Sequence, residues 1–499
     1  MSQVALLSID QGTTSSRAIL FSCDGEILSV QQKELRLHYP EKGWVEQDAN
    51  DIWDDTLLTC RAVINDAERG GYTIGGIGIT NQRETTMIWN RDTGVPIHHA
   101  IVWQDRRTAA QCAALKHAGH EPMITQKTGL LLDPYFSATK IAWILDHVKG
   151  ARDLAQAGKL AFGTVDCYLL WKLTGGKVHA TDATNASRTM LFNIVTQQWD
   201  EDLLKLFDIP RAILPDVRDC VADFGQTEKD LLGRSYTVGG IAGDQQAALI
   251  GQACFKPGMM KSTYGTGCFA LVNIGPDFIA SKNRLLTTPA YRLNGQTTYA
   301  IEGSIFVAGA AIQWLRDGLG LFEKAPESEA LALSVNDSNG VYFVPAFTGL
   351  GAPYWAPEAR AMIAGMSRET TAAHIVRAAL EAQAYQTLDL IGAMQADSGF
   401  DLALVRADGG LVSNGFMCQF LADMLNTDVE IPHVHETTAW GAACLAGLQS
   451  GVLNGLDDVT KRWRRGHLFQ PRIDENARNR LYQGWGRAIQ QVLFGSEQA

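Results

Sequence analysis

Apolar positions open the chain in three short runs separated by polar turns. Residues 4–9, 17–21 and 27–30 read as strands, with the sequence DQGTTSS in the first turn and Cys23-Asp24-Gly25 in the second. Asp-Gly between two apolar runs is a strong hairpin signal. Two further runs, 74–79 and 86–89, flank the turn TNQRET and read as strands. After Pro134 the period lengthens, and Ile141, Ile144, Leu145 and Val148 recur at the spacing of one helix face.

Half a chain length later the opening pattern returns. Residues 260–273, MKSTYGTGCFALVN, give a strand, a Gly/Thr turn and a strand, so Gly265-Thr266-Gly267 matches Gln11-Gly12-Thr13-Thr14 in design. The second half then alternates: a helix over 371–397, a strand over 402–405, the turn Asp408-Gly409-Gly410, a helix over 414–424, a strand over 429–431 and an Ala/Gly-rich helix over 438–449. Strands alternating with helices predict a largely parallel sheet covered on both faces. The fold class is therefore α/β, with two halves of related design and a cleft between them.

Length agrees, since 499 residues exceed the usual size of a single core. Two domains are expected, residues 1–250 and 251–499. Charged residues make up 19% of the chain, below the roughly 25% of ordinary globular chains, which excludes disorder and coiled coil. A net charge of −11 argues against a nucleic-acid partner. Nine scattered cysteines without a CxxC pair fit neither a disulfide framework nor a zinc knuckle, and point to a reducing, cytoplasmic setting. No apolar run approaches the roughly 18 residues of a membrane helix, so membrane insertion is not expected.

Familiar nucleotide motifs are missing. There is no G-x-x-x-x-G-K-[ST], and the G-x-G-x-x-A of 265–270 runs on into a strand where a dinucleotide fold needs a helix. What the chain offers is a pair of strand–turn–strand loops in which Gly exposes backbone N–H groups and hydroxyls add donors for phosphate. Thr13, Thr14 and Ser15 serve one loop and Thr266 the other. Arg17 supplies positive charge. Asp10, ending the first strand, suits Mg²⁺, a hard cation that takes carboxylate oxygen and keeps part of its water.

Asp244, in GIAGDQQAAL, stands at a helix start. It is equally suited to N-capping, worth about 1 kcal/mol, and to acting as general base for an attacking hydroxyl. Arg83 and Glu84 are adjacent in a turn; such a pair is ordinarily solvated, but donors beside an acceptor also suit a polyol. Trp103, Tyr135 and Phe269 serve either as core or as an apolar wall for a carbon skeleton. His433-Val-His435-Glu436 places two imidazoles on alternate positions of a strand end, without the partner cluster that zinc needs. The basic run 461–465 reads as solvated surface near the end of the chain.

The stretches SIDQGTTSSR (8–17), TNQRETT (80–86), WQDRR (103–107), DPYFSATK (133–140), GDQQAAL (243–249), TYGTGC (263–268), GAAIQWLRD (309–317), PAFTGLGAPYW (345–355) and DGG (408–410) closely resemble the glycerol-phosphorylating branch of the FGGY carbohydrate kinases, which share the fold of actin and hexokinase. That resemblance implies transfer of the γ-phosphoryl of MgATP to glycerol, giving sn-glycerol 3-phosphate, with Asp244 as catalytic base. It implies glycerol contacts from Arg83, Glu84, Tyr135, Asp244 and Gln245, walled by Trp103 and Phe269. Nucleotide contacts are implied for Thr13, Thr14, Ser15, Arg17, Thr266, Gly309, Gln313, Gly410 and Asn414, with Asp10 at Mg²⁺. A homodimer or homotetramer is implied as well. The stretch 226–239 keeps only Gly233 and Arg234 of the Gly-rich, Arg-containing loop by which some members take a sugar bisphosphate, so that regulation is not expected. Two rivals remain: a kinase for another polyol or a ketose, and an ATP-driven binding module of the same fold.

Overall fold

The computed structural model describes residues 3–497. Its first sheet begins with the expected meander: β1 (Gln3–Gln11), β2 (Ser15–Ser22) and β3 (Ile27–Glu34), antiparallel in succession. Gly25 turns the second hairpin at φ +88°, a conformation that favours glycine. The chain then crosses through helix α1 (Ala49–Arg69), whose start is capped by Asp48 accepting from the Asn50 N–H, and returns as β4 (Tyr72–Asn81), parallel to β1. Much later β5 (Val238–Gly243) adds itself parallel to β4. The resulting order is β5-β4-β1-β2-β3.

Between β4 and β5 the chain leaves this sheet. The strand expected at 86–89 forms at Met87–Asn90, but it pairs with Leu160–Gly163. TNQRET is therefore an exit from the sheet rather than a hairpin turn. The helix expected after Pro134 is Ser137–His147, with Ile141, Ile144 and Leu145 buried and Val148 just past its end.

The second sheet repeats the plan. Helix α2 (Asp244–Gly251) leads to β6 (Met259–Tyr264) and β7 (Cys268–Gly275), then β8 (Leu286–Leu293) and β9 (Gln296–Ile305). Helices α3 (Gly309–Asp317) and α4 (Ala372–Ser398) precede β10 (Leu404–Asp408), α5 (Gly415–Leu425), β11 (Val429–Pro432), α6 (Thr437–Gln449) and β12 (Arg465–Phe469). The order is β8-β9-β7-β6-β10-β11-β12. Stripped of its edges β8 and β12, it matches the first sheet strand for strand, with β6 in the place of β1, β10 of β4 and β11 of β5. The expected strand at 402–405 forms two residues further on, and reaches Asp408.

Each sheet's last parallel strand feeds one of two helices, α2 and α6, that pack on each other and share an apolar cluster drawn from both halves. They cross on glycine. A Cβ on Gly441 would lie 1.8 Å from the Ala247 carbonyl oxygen, and one on Gly251 would lie 1.9 Å from that of Thr437. Helix α6 also lies on the first sheet, where Gly78 of β4 and Gly240 of β5 leave room for it. The small residues of 438–449 thus bring backbone against backbone between the two sheets. No helix among the described residues is long and apolar enough to cross a membrane.

Candidate active site

Ligand sites in α/β sheets gather where parallel strands end. Here β1, β4 and β5 end in Gly12–Thr14, Gln82–Thr85 and Asp244, and β6, β10 and β11 end in Gly265–Gly267, Gly409–Gly410 and His433–Glu436.

The first loop is braced. The Gly12 N–H donates to the Ser15 carbonyl (2.9 Å), and Gln47 Nε2 donates to the Thr13 carbonyl (2.6 Å). Gln82 Nε2 in turn donates to Gln47 Oε1 (2.8 Å) and to the Gly12 carbonyl (3.2 Å). Trp103 Nε1 donates to Thr13 Oγ1 (2.9 Å), and the Trp103 ring meets Tyr135 edge-on at 5.5 Å between centroids. One side of the loop is thus joined to the expected apolar wall, while Thr14 stays exposed and Ser15 half-buried.

The second loop is docked on the start of α3. The N–H groups of Ala308 and Ala310 donate to the Thr266 carbonyl, and that of Gly309 to the Gly265 carbonyl (2.9 Å). A Cβ at Gly309 would sit 2.6 Å from that oxygen, so only glycine allows the approach. Gln313 lies one turn further along α3, exposed. Gly409, at φ +94°, packs its backbone on Tyr264 and leaves Gly410 open beside the loop. Thr266, Gly309, Gln313 and Gly410 therefore gather at one end of the second sheet. Asn414 sits next to them, but its side chain is engaged: Oδ1 accepts from the Met417 N–H (2.9 Å) as the cap of α5, and Nδ2 donates to Ser328 Oγ (3.3 Å).

Asp10 and Arg17 are cross-strand partners in the β1–β2 register. Arg17 Nη2 donates to Asp10 Oδ2 at 2.6 Å, and the same guanidinium reaches Glu436, which precedes α6. Thr437 Oγ1 bonds Asp408, the residue before Gly409. This relay connects the rims of the two loops. Burial raises the Asp10 pKa against the opposing charge of Arg17. Among the described residues no group of three His, Cys, Asp or Glu gathers to hold a metal. Asp10 Oδ1 takes no hydrogen bond from them, which fits a Mg²⁺ held by one carboxylate, water and phosphate rather than by a protein cage.

The polyol-suited turn lies within a buried chain of charges. Arg83 places Nη1 and Nη2 on the Glu302 carboxylate, at 2.6 and 3.0 Å, and Nε 3.3 Å from Asp244 Oδ1. Arg188 donates from Nε to Glu84 Oε1 (2.6 Å) and from Nη2 to Glu302 Oε1 (3.0 Å). Glu84 is held at φ +61°, a conformation costly for a residue with a side chain. The ordinary expectation of a solvated Arg-Glu pair is corrected: both side chains are buried, and each is neutralised by a residue distant in sequence. Asp244 differs, since its side chain is 33% exposed while those of Glu84 and Glu302 are 1% and 3%.

The capping role weighed for Asp244 is corrected as well. Gly243 is the N-cap, and Asp244 is the first helical residue, with Oδ1 accepting only from the adjoining Gln245 N–H (2.7 Å). Burial lifts its pKa above the ordinary aspartate value, outweighing the nearby charges of Arg83 and Lys261. Gln245 is half-buried, and its Oε1 accepts from Lys261 Nζ. Phe269 is half-buried on β7 opposite Thr263 and Ser304, the place that Arg17 occupies on β2 opposite Asp10.

Three residues of this cluster, Arg188, Lys261 and Glu302, escape a motif-by-motif reading of the sequence. For Lys261 and Glu302 a signal was present: lone charges in otherwise apolar strand sequence, GMMKSTY and YAIEGSI, cost too much to bury unless partnered. Two further readings change. The strand ends at Pro432, so His433 and His435 share no strand face, and Glu436 pairs with Arg17. The basic run is more than surface: Arg462 Nε donates to the Cys23 carbonyl, Arg464 pairs with Glu26, and Trp463 lies under the Arg406 guanidinium at 3.6 Å. It clasps the β2–β3 hairpin of the first half.

Comparison with known families matches residues 5–251 to the FGGY family of carbohydrate kinases, N-terminal domain, and 260–450 to its C-terminal domain. A glycerol kinase of Nitrosomonas eutropha is 64% identical over 99% of both chains, and one of Ectopseudomonas mendocina is 59% identical over 98% of both. The crystal structure of Plasmodium falciparum glycerol kinase with ADP superposes with a TM-score of 0.95 at 35% identity, covering 98% of each chain. The gluconate kinase of Lactobacillus acidophilus, 21% identical over 97% of this chain and 96% of its own, shares the fold with a TM-score of 0.86. Its two related sheets, its loops and its likeness across nearly the whole length agree: the chain belongs to the FGGY family of carbohydrate kinases.

Proposed function

We propose that this chain transfers the γ-phosphoryl group of ATP to a terminal hydroxyl of glycerol, giving sn-glycerol 3-phosphate and ADP. The observation that carries the reading is Asp244: among the carboxylates around Arg83 it alone has a partly exposed side chain, and burial raises its pKa above the ordinary aspartate value. The relatives from Nitrosomonas eutropha, Ectopseudomonas mendocina and Plasmodium falciparum bear the same activity in their names.

In this reading Arg83 and Glu84 orient the glycerol hydroxyls, Trp103, Tyr135 and Phe269 wall its carbons, and Gln245 reaches the hydroxyl beside Asp244. Asp244 takes the proton of the attacking hydroxyl as its oxygen bonds to the γ-phosphorus and the bond to the β–γ bridging oxygen breaks. Thr13, Thr14, Ser15 and Arg17 hold the phosphates from the first half. Thr266, Gly309, Gln313, Gly410 and the backbone around Asn414 hold the nucleotide from the second. Mg²⁺ at Asp10, when bound, neutralises charge on the triphosphate. Residues 1–250 and 251–499 act as the two domains, and the free state of all nine cysteines suits a cytoplasmic setting.

Release of ADP, followed with a coupled assay, tests this directly across glycerol, erythritol, xylulose, gluconate and no acceptor. Turnover is expected with glycerol, at least about tenfold above any other acceptor, and little without one. Faster turnover with a larger polyol or a ketose would move the substrate. Hydrolysis indifferent to acceptor would favour the ATP-driven binding module.

A further inference from the structure

We infer that Glu302 is a positioning residue for this reaction: it holds the fork of Arg83 away from Asp244 and so keeps Asp244 free to accept the alcohol's proton. The inference rests on Asp244 being the base. A guanidinium fork prefers two parallel bonds to one carboxylate, and three carboxylates stand within its reach, with Glu84, 3.9 Å from Nε, already bonded to Arg188. Glu302 takes both Nη groups, at 2.6 and 3.0 Å, and leaves Asp244 only Nε at 3.3 Å. Glu302 is itself aimed by Arg188 Nη2 at 3.0 Å, and Arg188 Nε is anchored on Glu84 at 2.6 Å. The arrangement spans the molecule, because Glu302 comes from β9 of the second sheet while Arg83, Glu84, Arg188 and Asp244 belong to the first half. The alcohol site is therefore completed by the half that carries the second loop.

Without the Glu302 carboxylate, Arg83 would turn its fork onto Asp244, occupying the oxygens that the alcohol must reach. The other charged groups around Asp244 do not replace it. Lys261 of β6 is bonded to Gln245, and Glu84 is bonded to Arg188. A Glu302 that only neutralised buried arginine would affect stability and, through its charge, the Asp244 pKa, but would leave the glycerol KM and the kcat reached above the acid limb as they are.

The test compares Glu302→Gln and Glu302→Asp with the unaltered full-length chain by steady-state kinetics, pH profile and urea unfolding. For Glu302→Gln, kcat is expected to fall about 100-fold and the glycerol KM to rise about tenfold, with the ATP KM within about twofold. The acid limb of kcat/KM moves to lower pH, because the approach of Arg83 and the loss of a neighbouring negative charge both lower the Asp244 pKa. Glu302→Asp keeps the charge and recovers part of kcat with the acid limb near its original place. A folded Glu302→Gln variant with its acid limb unmoved, or with unaltered kcat and glycerol KM, overturns the inference whatever its stability. If that variant does not fold, Glu302→Asp decides: a raised glycerol KM with an unchanged ATP KM supports it, and unaltered constants overturn it. The unaltered chain separates the two claims, since its failure to phosphorylate glycerol would defeat the reading of the site itself.

Discussion

Replacing Asp244 with Asn is expected to lower kcat for glycerol phosphorylation by about 10²–10⁴-fold, the range usual for loss of a general base. Asn has nearly the shape of Asp and keeps an oxygen for the Gln245 N–H, so the start of α2 stays as it is. What it lacks is the capacity to take a proton. The raised pKa of Asp244 gives two accompanying results. In the unaltered enzyme kcat/KM rises as pH rises through that pKa, with an acid limb above the ordinary aspartate value of 3.8. A carboxyl group whose pKa is raised on folding also loses stability as pH rises through it, so the Asn variant is expected to be at least as stable as its parent at pH 7. Urea unfolding measures the second point and the pH–rate profile the first. Near-normal turnover in the variant would leave Asp244 without a catalytic role.

Gly441→Ala is expected to cost at least about 3 kcal/mol, at the upper end for one added methyl group in a packed interior. The new Cβ would meet the Ala247 carbonyl oxygen at 1.8 Å, its carbon at 2.6 Å and the Gly251 nitrogen at 3.0 Å. All three are backbone atoms of α2, so no side chain can swing aside, and the helices must separate. Since α2 begins with Asp244 and α6 follows Glu436, separation also re-aims the base and the relay to Arg17. A lower urea midpoint and a smaller soluble yield are expected, with reduced kcat in whatever remains folded. Parental unfolding and turnover would mean that the crossing tolerates separation.

The sheets were readable because their residues obey local rules. Strand–turn–strand patterns with Asp-Gly or Gly-Thr-Gly turns mark both hairpins, and the match of Gln11–Thr14 with Gly265–Gly267 exposed the repeat that the strand orders bear out. The crossing of α2 and α6 was readable only in part. Gly441, Ala442 and Ala443 announce close packing, but nothing local says that the partner is the first sheet as well as α2. The same limit governed the site. Arg83, Glu84 and Asp244 lie in recognisable stretches, whereas Glu302 and Arg188 matter through partners 219 and 104 residues away. The basic run 461–465 misled for that reason: its acceptors, Cys23 and Glu26, lie at the other end of the chain.

In the proposed reaction, loops from both sheets grip one triphosphate while Asp244 meets a small alcohol. A crystal structure with glycerol and a non-hydrolysable ATP analogue tests it most directly. The terminal hydroxyl of glycerol is expected within hydrogen-bonding distance of the Asp244 carboxylate, with phosphate oxygens on the N–H groups of both Gly12–Ser15 and Gly265–Gly267. Glycerol bound away from Asp244, or a triphosphate touching one loop only, would contradict it.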